Sequence, residues 1–309
     1  MSVQSASVPR PINVVRRRER RTTPAIVGIG FVAPTVLIFA GFVAIPIVAV
    51  FLTSCTRWTG FDIGAISWIG FQNYADLLHD PIFLRSFAHT LLFTVATTVL
   101  LNAAGFGLAL LVNTHAPGTQ FLKAVLFLPV LLSPVIVGLM WSGLLRGVGG
   151  GLNQLLEFVG IIHQPIFWLG DKRFALAAII LATVWQFAGY DMILYYAGLQ
   201  NVPHNLLEAA EIDGARFGRK LVHVIIPSLF HVMSVVVLLN VIGGLRIFDI
   251  VYVMTRGGPN RSSEVLATYM YEQGFQLNAM GIASAIAVII VLLAVVASAL
   301  RLRILSHVA

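Results

Sequence analysis

The sequence predicts an all-α membrane protein that crosses the bilayer with six helices. Of its 309 residues, 58% are hydrophobic and only 11% are charged, and the mean hydropathy is +0.89. This composition is too apolar for an ordinary soluble domain. A helix needs about 20 apolar residues to cross a bilayer, and six runs are at least this long. None alternates with the period of two that barrel strands show, which favours helices.

The six predicted spans are residues 25–54, 87–114, 124–145, 174–200, 228–254 and 279–300. Four of these runs contain no Asp, Glu, Lys or Arg. The fourth run contains Asp191 alone, and the fifth contains Arg246 and Asp249. Together the runs predict one membrane domain over residues 24–305.

The basic residues predict the orientation of these spans. Residues 1–23 are basic, contain Ser and Pro and lack apolar periodicity, so we expect a disordered cytoplasmic tail. Six crossings then place both termini inside, where the segments hold 12 Lys and Arg against 7 in the outside segments. This distribution follows the positive-inside rule. The net charge of +7 therefore reflects membrane topology and gives no support to a nucleic-acid partner.

Each outside loop has features of its own. In residues 55–86, the stretches "FQNYADLL" and "PIFLRSF" predict a short interfacial helix leading into the second span. In residues 146–173, a glycine run is followed by one or two amphipathic turns, and residues 255–278 form the last outside loop. Cys55 is the only cysteine, which excludes an internal disulfide and a cysteine metal cluster.

The inside loop between spans four and five is unusually charged for so apolar a chain. Its stretch "EAAEIDGARFGRKLVHVIIP" at 208–227 holds six acidic or basic side chains. Pro203 suits the first turn of a helix, Asp213 offers a cap, and Gly214 tolerates a sharp turn. Pro227 is expected to close the second segment as the fifth span begins. We therefore predict two short helices that meet at a glycine turn on the cytoplasmic surface.

Two partners could explain this loop. An amphipathic hairpin resting on lipid headgroups would account for its basic face. Anionic lipid would, however, repel the cluster of Glu208, Glu211 and Asp213. The neighbouring Ala209 and Ala210 are small enough for close approach to another surface. A protein partner on the inside fits these residues better.

The loop resembles the EAA loop of permease subunits of binding-protein-dependent ABC importers. That pattern is Glu-Ala-Ala, three residues, Gly, nine residues and then Ile-x-Leu-Pro. This sequence has "EAA" at 208–210, Gly214, and "VIIP" at 224–227. The spacing matches throughout, and Val for Ile and Ile for Leu are the two departures.

A second stretch resembles one branch of that family. "RIFDIVYVMTRGGPNRSSEVLATYMYEQGF" at 246–275 is similar to the segment that leaves span five in carbohydrate-uptake permeases, the branch with the maltose and glycerol-phosphate systems. The stretches "FLPVLLSPVIVGLMW" and "GLNQLL" agree with this branch. The resemblance covers roughly residues 25–305 and favours the first, maltose-F-like subunit of the permease pair.

The resemblance implies the fold, the location and the partners of the chain. It implies the type I ABC importer (MetI-like) permease fold, with both termini inside, in a bacterial cell membrane. The implied partners are a second permease subunit, a cytoplasmic ATPase dimer, an extracytoplasmic solute-binding protein or lipoprotein, and membrane lipid. The chain itself would not be an enzyme and would bind no cofactor, because ATP and Mg belong to the ATPase. No lysine follows a glycine, so a Walker A motif is absent from the sequence.

The resemblance also implies roles for particular residues. The predicted ATPase-coupling residues are Glu208, Ala209, Ala210, Asp213, Gly214, Arg216 and Pro227. Glu208 would contact the ATPase directly, Gly214 would set the turn, and the alanines would permit close packing. Outside, Gly257, Gly258 and Pro259 would face the binding protein, although a plain chain reversal also explains these turn residues.

Polar side chains within the spans are candidates for the substrate path, because polar groups are costly in lipid. They are Gln186, Tyr190, Asp191, Tyr195, Asn240, Arg246 and Asp249. Sugars are commonly held by hydroxyl-binding side chains and stacked rings, which such residues supply. Ordinary helix packing also explains the tyrosines, and Arg246 and Asp249 could instead form a structural ion pair.

Two other functional classes are less well supported. An ion-coupled secondary transporter of a small polar solute would show more membrane acids, inverted symmetry and broken helices than Asp191 and Asp249 provide. It would also leave the charged loop unexplained. An intramembrane enzyme lacks a recognisable motif, since neither His-Glu-x-x-His nor Gly-x-Ser-x-Gly occurs.

Overall fold

The computed structural model describes residues 25–62, 64–114 and 117–306, and most of these residues are helical. The predicted tail, residues 1–23, lies outside them. The chain divides into two units after Val48. In the described part of the chain, five helices are long and apolar enough to cross a membrane, or six if one bent pair counts as a single span. The all-α membrane prediction is therefore confirmed.

The first predicted span is one helical run. It consists of α1 (Ala25–Phe39), a π turn (Ala40–Ala44) and α2 (Ile45–Thr53). Pro34 lies inside α1 without ending it.

A small hairpin and a short helix follow the first span. Strand β1 (Thr56–Arg57) pairs antiparallel with β2 (Ser67–Trp68), and Thr56 lies opposite Trp68. Helix α3 covers Gln72–His79 and is the short helix predicted for this loop. The Asn73 amide ties α3 to the hairpin, since its Nδ2 donates to the carbonyls of Ser54 (2.8 Å) and Thr56 (2.9 Å).

The second long helix, α4, covers Pro81–Val112 and has 32 residues. It begins six residues before the predicted span because Asp80 caps it, with Oδ1 accepting from the Ile82 amide at 2.8 Å. Pro81 fits the first turn, where no amide hydrogen is needed. "PIFLRSF" thus forms the first turns of α4 instead of an interfacial helix.

The segment predicted as the third span, residues 124–145, is sharply bent. Its three pieces are α5 (Thr119–Phe127), a 3₁₀ turn (Leu128–Leu131) and α6 (Pro134–Leu144). The two arms meet at an angle of 97°. Pro134 has no amide hydrogen to continue the preceding turn, and Ser133 starts α6 by accepting from the Val135 amide at 3.4 Å.

The middle of the chain contains four further helices: α7 (Gly151–Phe158), α8 (Ala175–Leu199), α9 (His204–Ile212) and α10 (Phe217–Lys220). Helix α7 supplies the amphipathic turns predicted after the glycine run. Helix α8 matches the predicted fourth span to within one residue at each end.

The fifth long helix runs without interruption over Phe217–Leu245, a length of 29 residues. It joins α10, a π turn (Leu221–Ile225) and α11 (Ile226–Leu245). Two predictions are therefore wrong: Pro227 does not separate the loop from the span, and the helix ends at Leu245 instead of residue 254. Pro227 has no amide hydrogen to donate, and it is tolerated in the first turn of α11, directly after the π turn.

The last part of the chain consists of α12 (Asp249–Met254), α13 (Leu266–Tyr271), a π turn (Glu272–Gln276) and α14 (Met280–Ser306). Gly243 and Gly244 precede the end of α11, and glycine weakens a helix. Arg246 and Asp249 consequently lie at the break between α11 and α12, not inside a span as predicted.

Helices α4 and α8 pack side by side at the centre of the second unit, with Phe106 and Tyr195 in edge-to-face contact at 5.5 Å. Gly189 of α8 packs against α5. A Cβ at Gly189 would lie 1.9 Å from the carbonyl oxygen of Leu126, so only glycine permits this approach.

Contacts at the two ends of α4 fix the positions of the loops. At its start, Asp80 accepts a hydrogen bond from the hydroxyl of Tyr269. At its end, Asn113 accepts from Nε2 of Gln200 at 2.7 Å. The loop after α8 and the loop before α13 therefore lie at opposite ends of α4, as the predicted topology requires.

Candidate functional site

The charged loop turns at a glycine in the left-handed region. Gly214 has a φ of +70°, its amide donates to Glu211 O (3.0 Å), and the Ala215 amide donates to Ala210 O (2.9 Å). These two bonds form the Schellman motif that ends many helices. The predicted glycine turn is confirmed, and no atom lies within 4 Å of a Cβ built at Gly214.

An ion pair that the sequence reasoning missed joins the two arms of the turn. Lys220 Nζ lies 2.7 Å from Glu211 Oε1. The sequence does contain two opposite charges, nine residues apart and on either side of the predicted glycine turn, and this arrangement indicates such an ion pair. The pair holds α9 and α10 together across Gly214.

The tip of the loop presents both charge and apolar surface. Glu208 and Ala209 are exposed, while Ala210 is half-buried. Ile212 and Phe217 are 87% and 61% exposed. Exposed apolar side chains of this size offer a contact surface to a protein or to membrane lipid.

The remaining predicted coupling residues take different places. Asp213, predicted to offer a cap, occupies the C-cap position of α9. Arg216 holds the N-cap position of α10 and makes no side-chain cap bond. Pro227 is exposed in the first turn of α11.

A second site is a cavity of about 420 Å³ bordered by α4, α8, α11, α12 and the bend of the third span, and it is called here the polar cavity after the few polar groups in its mainly apolar wall. Five of the seven predicted substrate-path residues line it: Gln186, Tyr190, Asn240, Arg246 and Asp249. The sequence reasoning missed Thr97, Thr183 and Phe248, which also line the cavity. The sequence feature that indicates a role for Thr97 is the series of threonines in α4, because polar side chains are unusual in a membrane-spanning helix.

Gln186 is the most enclosed polar group of the cavity wall and is 1% exposed. Its Nε2 donates to the Leu132 carbonyl at 2.9 Å. Leu132 lies at the bend of the third span, where the helix leaves this carbonyl available. Among the described residues, Gln186 Oε1 has no hydrogen-bond partner, and the atom is itself buried.

Asp191 stands behind the cavity wall. It is 1% exposed, and its Oδ2 accepts from Asn240 Nδ2 at 2.6 Å. Asn240 lines the cavity, whereas Asp191 does not. Tyr195 is also fully buried, and its hydroxyl donates to Asn102 away from the cavity. Asp191 and Tyr195 therefore fix neighbouring side chains.

Arg246 and Asp249 are exposed on the cavity wall. The ion pair considered between them is not among those formed by the described residues. Both charged groups remain available to a ligand.

A third site is a pocket of about 450 Å³ at the predicted last outside loop, residues 255–278, and it is called here the outer pocket. Gly257 and Gly258, two of the three residues predicted to face the binding protein, line it. Arg261 forms a two-point ion pair with Glu272, at 2.6 and 2.7 Å. Glu264 is 5% exposed, and this burial raises its pKa, although bonding from Thr268 (2.5 Å) opposes the shift.

Comparisons with known proteins place the chain in a family. The family described as "Binding-protein-dependent transport system inner membrane component" matches residues 102–308. The probable ABC transporter permease protein YurN of Bacillus subtilis (strain 168) is 33% identical over 88% of this chain and 94% of its own. The arabinooligosaccharides transport system permease protein AraP of the same organism is 32% identical over 88% of this chain and 86% of its own.

A solved structure has the same fold. It is a chain of a bacterial alginate ABC transporter in complex with an alginate pentasaccharide-bound periplasmic protein, with a TM-score of 0.77 and 21% identity over 90% of this chain and 95% of that chain. Together with the helical spans, these matches identify the type I, MetI-like permease fold. The chain belongs to the inner membrane components of binding-protein-dependent transport systems and is a multi-pass permease subunit of an ABC importer.

Proposed function

We propose that this permease imports a sugar or a related polyol, forms half of the translocation pathway, and receives energy from a separate ATPase through residues 201–227. The second permease subunit would complete the pathway. ATP and Mg would be bound by the cytoplasmic ATPase dimer, and an extracytoplasmic solute-binding protein or lipoprotein would deliver the solute.

The observation that carries the coupling proposal is the exposed surface of the charged loop. Glu208 offers a carboxylate that forms no ion pair with the described residues, it lies beside the small Ala209, and Ile212 and Phe217 expose apolar surface on the same loop. Burying about 100 Å² of apolar surface contributes roughly 2.5 kcal/mol to association. A cleft that accepts this tip would therefore hold it by apolar contact and orient it through Glu208.

The polar cavity supports a sugar as the solute. Its wall combines the amide of Asn240 and the charged Arg246 and Asp249 with the rings of Tyr190 and Phe248. Hydroxyl groups need donors and acceptors, and ring faces need apolar contact, so this lining suits a carbohydrate. AraP and the alginate transporter are named for arabinooligosaccharides and alginate.

The outer loop supports delivery by a binding protein. Gly257, Gly258 and Pro259 lie at the end of the molecule opposite to the charged loop, beside the outer pocket. The related alginate transporter was solved with its periplasmic protein bound.

The deciding experiment is reconstitution of the purified complex in proteoliposomes. We expect an ATPase to co-purify with this chain and uptake of a labelled disaccharide panel to require ATP and the solute-binding protein. Uptake driven by an ion gradient in the absence of ATPase would instead establish an ion-coupled secondary transporter. Glu208→Gln removes the carboxylate of the charged loop, and Glu157→Gln is the matched control in a predicted outside loop. Only Glu208→Gln should reduce ATP-dependent uptake.

A further inference from the structure

Four aromatic rings form a continuous cluster beside the break after α11. They are Phe248, Tyr252, Tyr271 and Phe275. Phe248 stacks on Tyr252 with centroids 5.2 Å apart and planes at 18°, and Tyr271 stacks on Phe275 at 5.2 Å and 29°. Tyr271 also contacts Phe248 (5.4 Å) and Tyr252 (5.2 Å). The four rings, called here the aromatic cluster, therefore touch one another in sequence.

The aromatic cluster lies between the two cavities. Phe248 lines the polar cavity, while Tyr252 and Arg256 line the outer pocket. Phe248 stacks on Tyr252, and the Arg256 guanidinium lies 5.9 Å from the centroid of the Tyr252 ring. These three side chains therefore connect the linings of the two spaces around α12.

The cluster combines ring faces with polar groups. Among the described residues, the hydroxyls of Tyr252 and Tyr271 have no hydrogen-bond partner. Glu272 and Gln276, which flank the second pair of rings in the sequence, line the outer pocket. Phe275 is 67% exposed, so part of the cluster is open to a ligand. A pyranose offers a C–H face to such rings and hydroxyls to such polar groups.

We propose that the aromatic cluster is a stacking site for the pyranose ring of the solute, occupied between the outer pocket and the polar cavity. This proposal rests on the proposed function as a sugar importer. It adds a binding position, with Tyr252 and Tyr271 as the principal rings.

The test uses the complete transporter in proteoliposomes with labelled maltose, cellobiose and xylobiose. Tyr252→Leu and Tyr271→Leu remove the rings, Tyr252→Phe and Tyr271→Phe keep them, and Phe158→Leu is a control at a ring that is 89% exposed outside the cluster. We expect each leucine variant to lower the uptake rate about tenfold, the upper range for losing one ring contact, and the phenylalanine variants to retain at least half. Co-purified ATPase should remain unchanged in all five variants.

A second measurement detects the stacked sugar directly. In the vanadate-trapped complex of the Tyr252→Trp variant, the transported disaccharide should shift the added tryptophan emission relative to wild type, whereas acyclic sorbitol should not. Wild-type uptake in both leucine variants, loss of the partner chains from them, or an emission unchanged by saturating sugar would overturn the stacking site while leaving the importer assignment intact. A wild-type complex that imports no sugar would instead refute the proposed function, and the stacking site with it.

Discussion

The backbone of Gly214 decides whether the charged loop can form. Its φ of +70° lies in the left-handed region, where residues with a Cβ are strained and asparagine is tolerated better than most. Because no atom lies within 4 Å of the position of a Cβ, the effect of a substitution comes from the backbone and not from a clash.

We predict that Gly214→Val uncouples the transporter, whereas Gly214→Asn largely preserves coupling. Forcing an ordinary residue into this conformation costs about 1–2 kcal/mol, and a β-branched side chain adds to that cost. ATP-dependent uptake and the amount of co-purified ATPase would be measured in both variants at equal membrane insertion. Normal uptake and ATPase association in the valine variant would contradict the role of this turn.

Asp191 is connected to the polar cavity through its hydrogen bond with Asn240. The carboxylate is buried behind the cavity wall and accepts the Asn240 amide at 2.6 Å. The structure thus assigns it a positioning role, although the sequence suggested contact with the solute.

We predict that Asp191→Ala lowers sugar uptake about tenfold, the result of losing a buried hydrogen bond of roughly 1.5 kcal/mol, and that Asp191→Asn retains most uptake. The asparagine carbonyl still accepts from Asn240, which can keep its orientation. Uptake rates over a range of sugar concentrations would separate affinity from turnover, and ATPase co-purification would report assembly. Equal loss in both variants would show that charge, and not the hydrogen bond to Asn240, is needed.

At the scale of the elements, the fifth helix differs most from its prediction. The sequence places a boundary at Pro227, but the helix continues from Phe217 to Leu245 through a π turn. Proline breaks a helix only where its missing hydrogen bond and its ring cannot be accommodated. A wider turn before Pro227 accommodates both, and the composition of the segment gives no sign of that turn.

The ion pair across the glycine turn yields a prediction about the two arms. An exposed ion pair contributes at most about 1 kcal/mol, so removing it should leave the chain folded. Reversing one charge, with Glu211→Lys or Lys220→Glu, should loosen the turn and reduce coupling. The double exchange should restore both properties.

ATP-dependent uptake and amide hydrogen exchange over residues 208–220 would measure this effect. Arg219→Glu is the matched control, because it reverses a neighbouring charge that lies outside the pair. If the double exchange stays as impaired as the single variants, the two charges act separately.

At the scale of the whole molecule, the number and approximate position of the spans follow from composition alone. Runs of apolar residues must cross as helices because lipid satisfies no backbone groups. The bend in the third span cannot be predicted from composition in the same way. Pro34 lies inside a helix while Pro134 begins a new one after a 97° bend, so the residue type is the same and the tertiary surroundings decide.

The charged loop could be predicted from the sequence more completely than the lining of the polar cavity. The charged loop is local, so its turn could be derived from Gly214 and its neighbours. Membership of the cavity depends on how each helix is rotated against the others. Tyr190 and Asp191 are adjacent in the sequence, yet only Tyr190 lines the cavity.

The helix from Phe217 to Leu245 connects the charged loop directly to the wall of the polar cavity. Its 29 residues extend about 43 Å at 1.5 Å per residue. If this rod pivots as a unit, a tilt of about 10° at its inner end would swing its far end by roughly 7 Å, about the width of a sugar ring. Force applied at Phe217 would then reach the cavity beside Arg246 through one continuous helix, provided that the π turn at Leu221–Ile225 stays rigid.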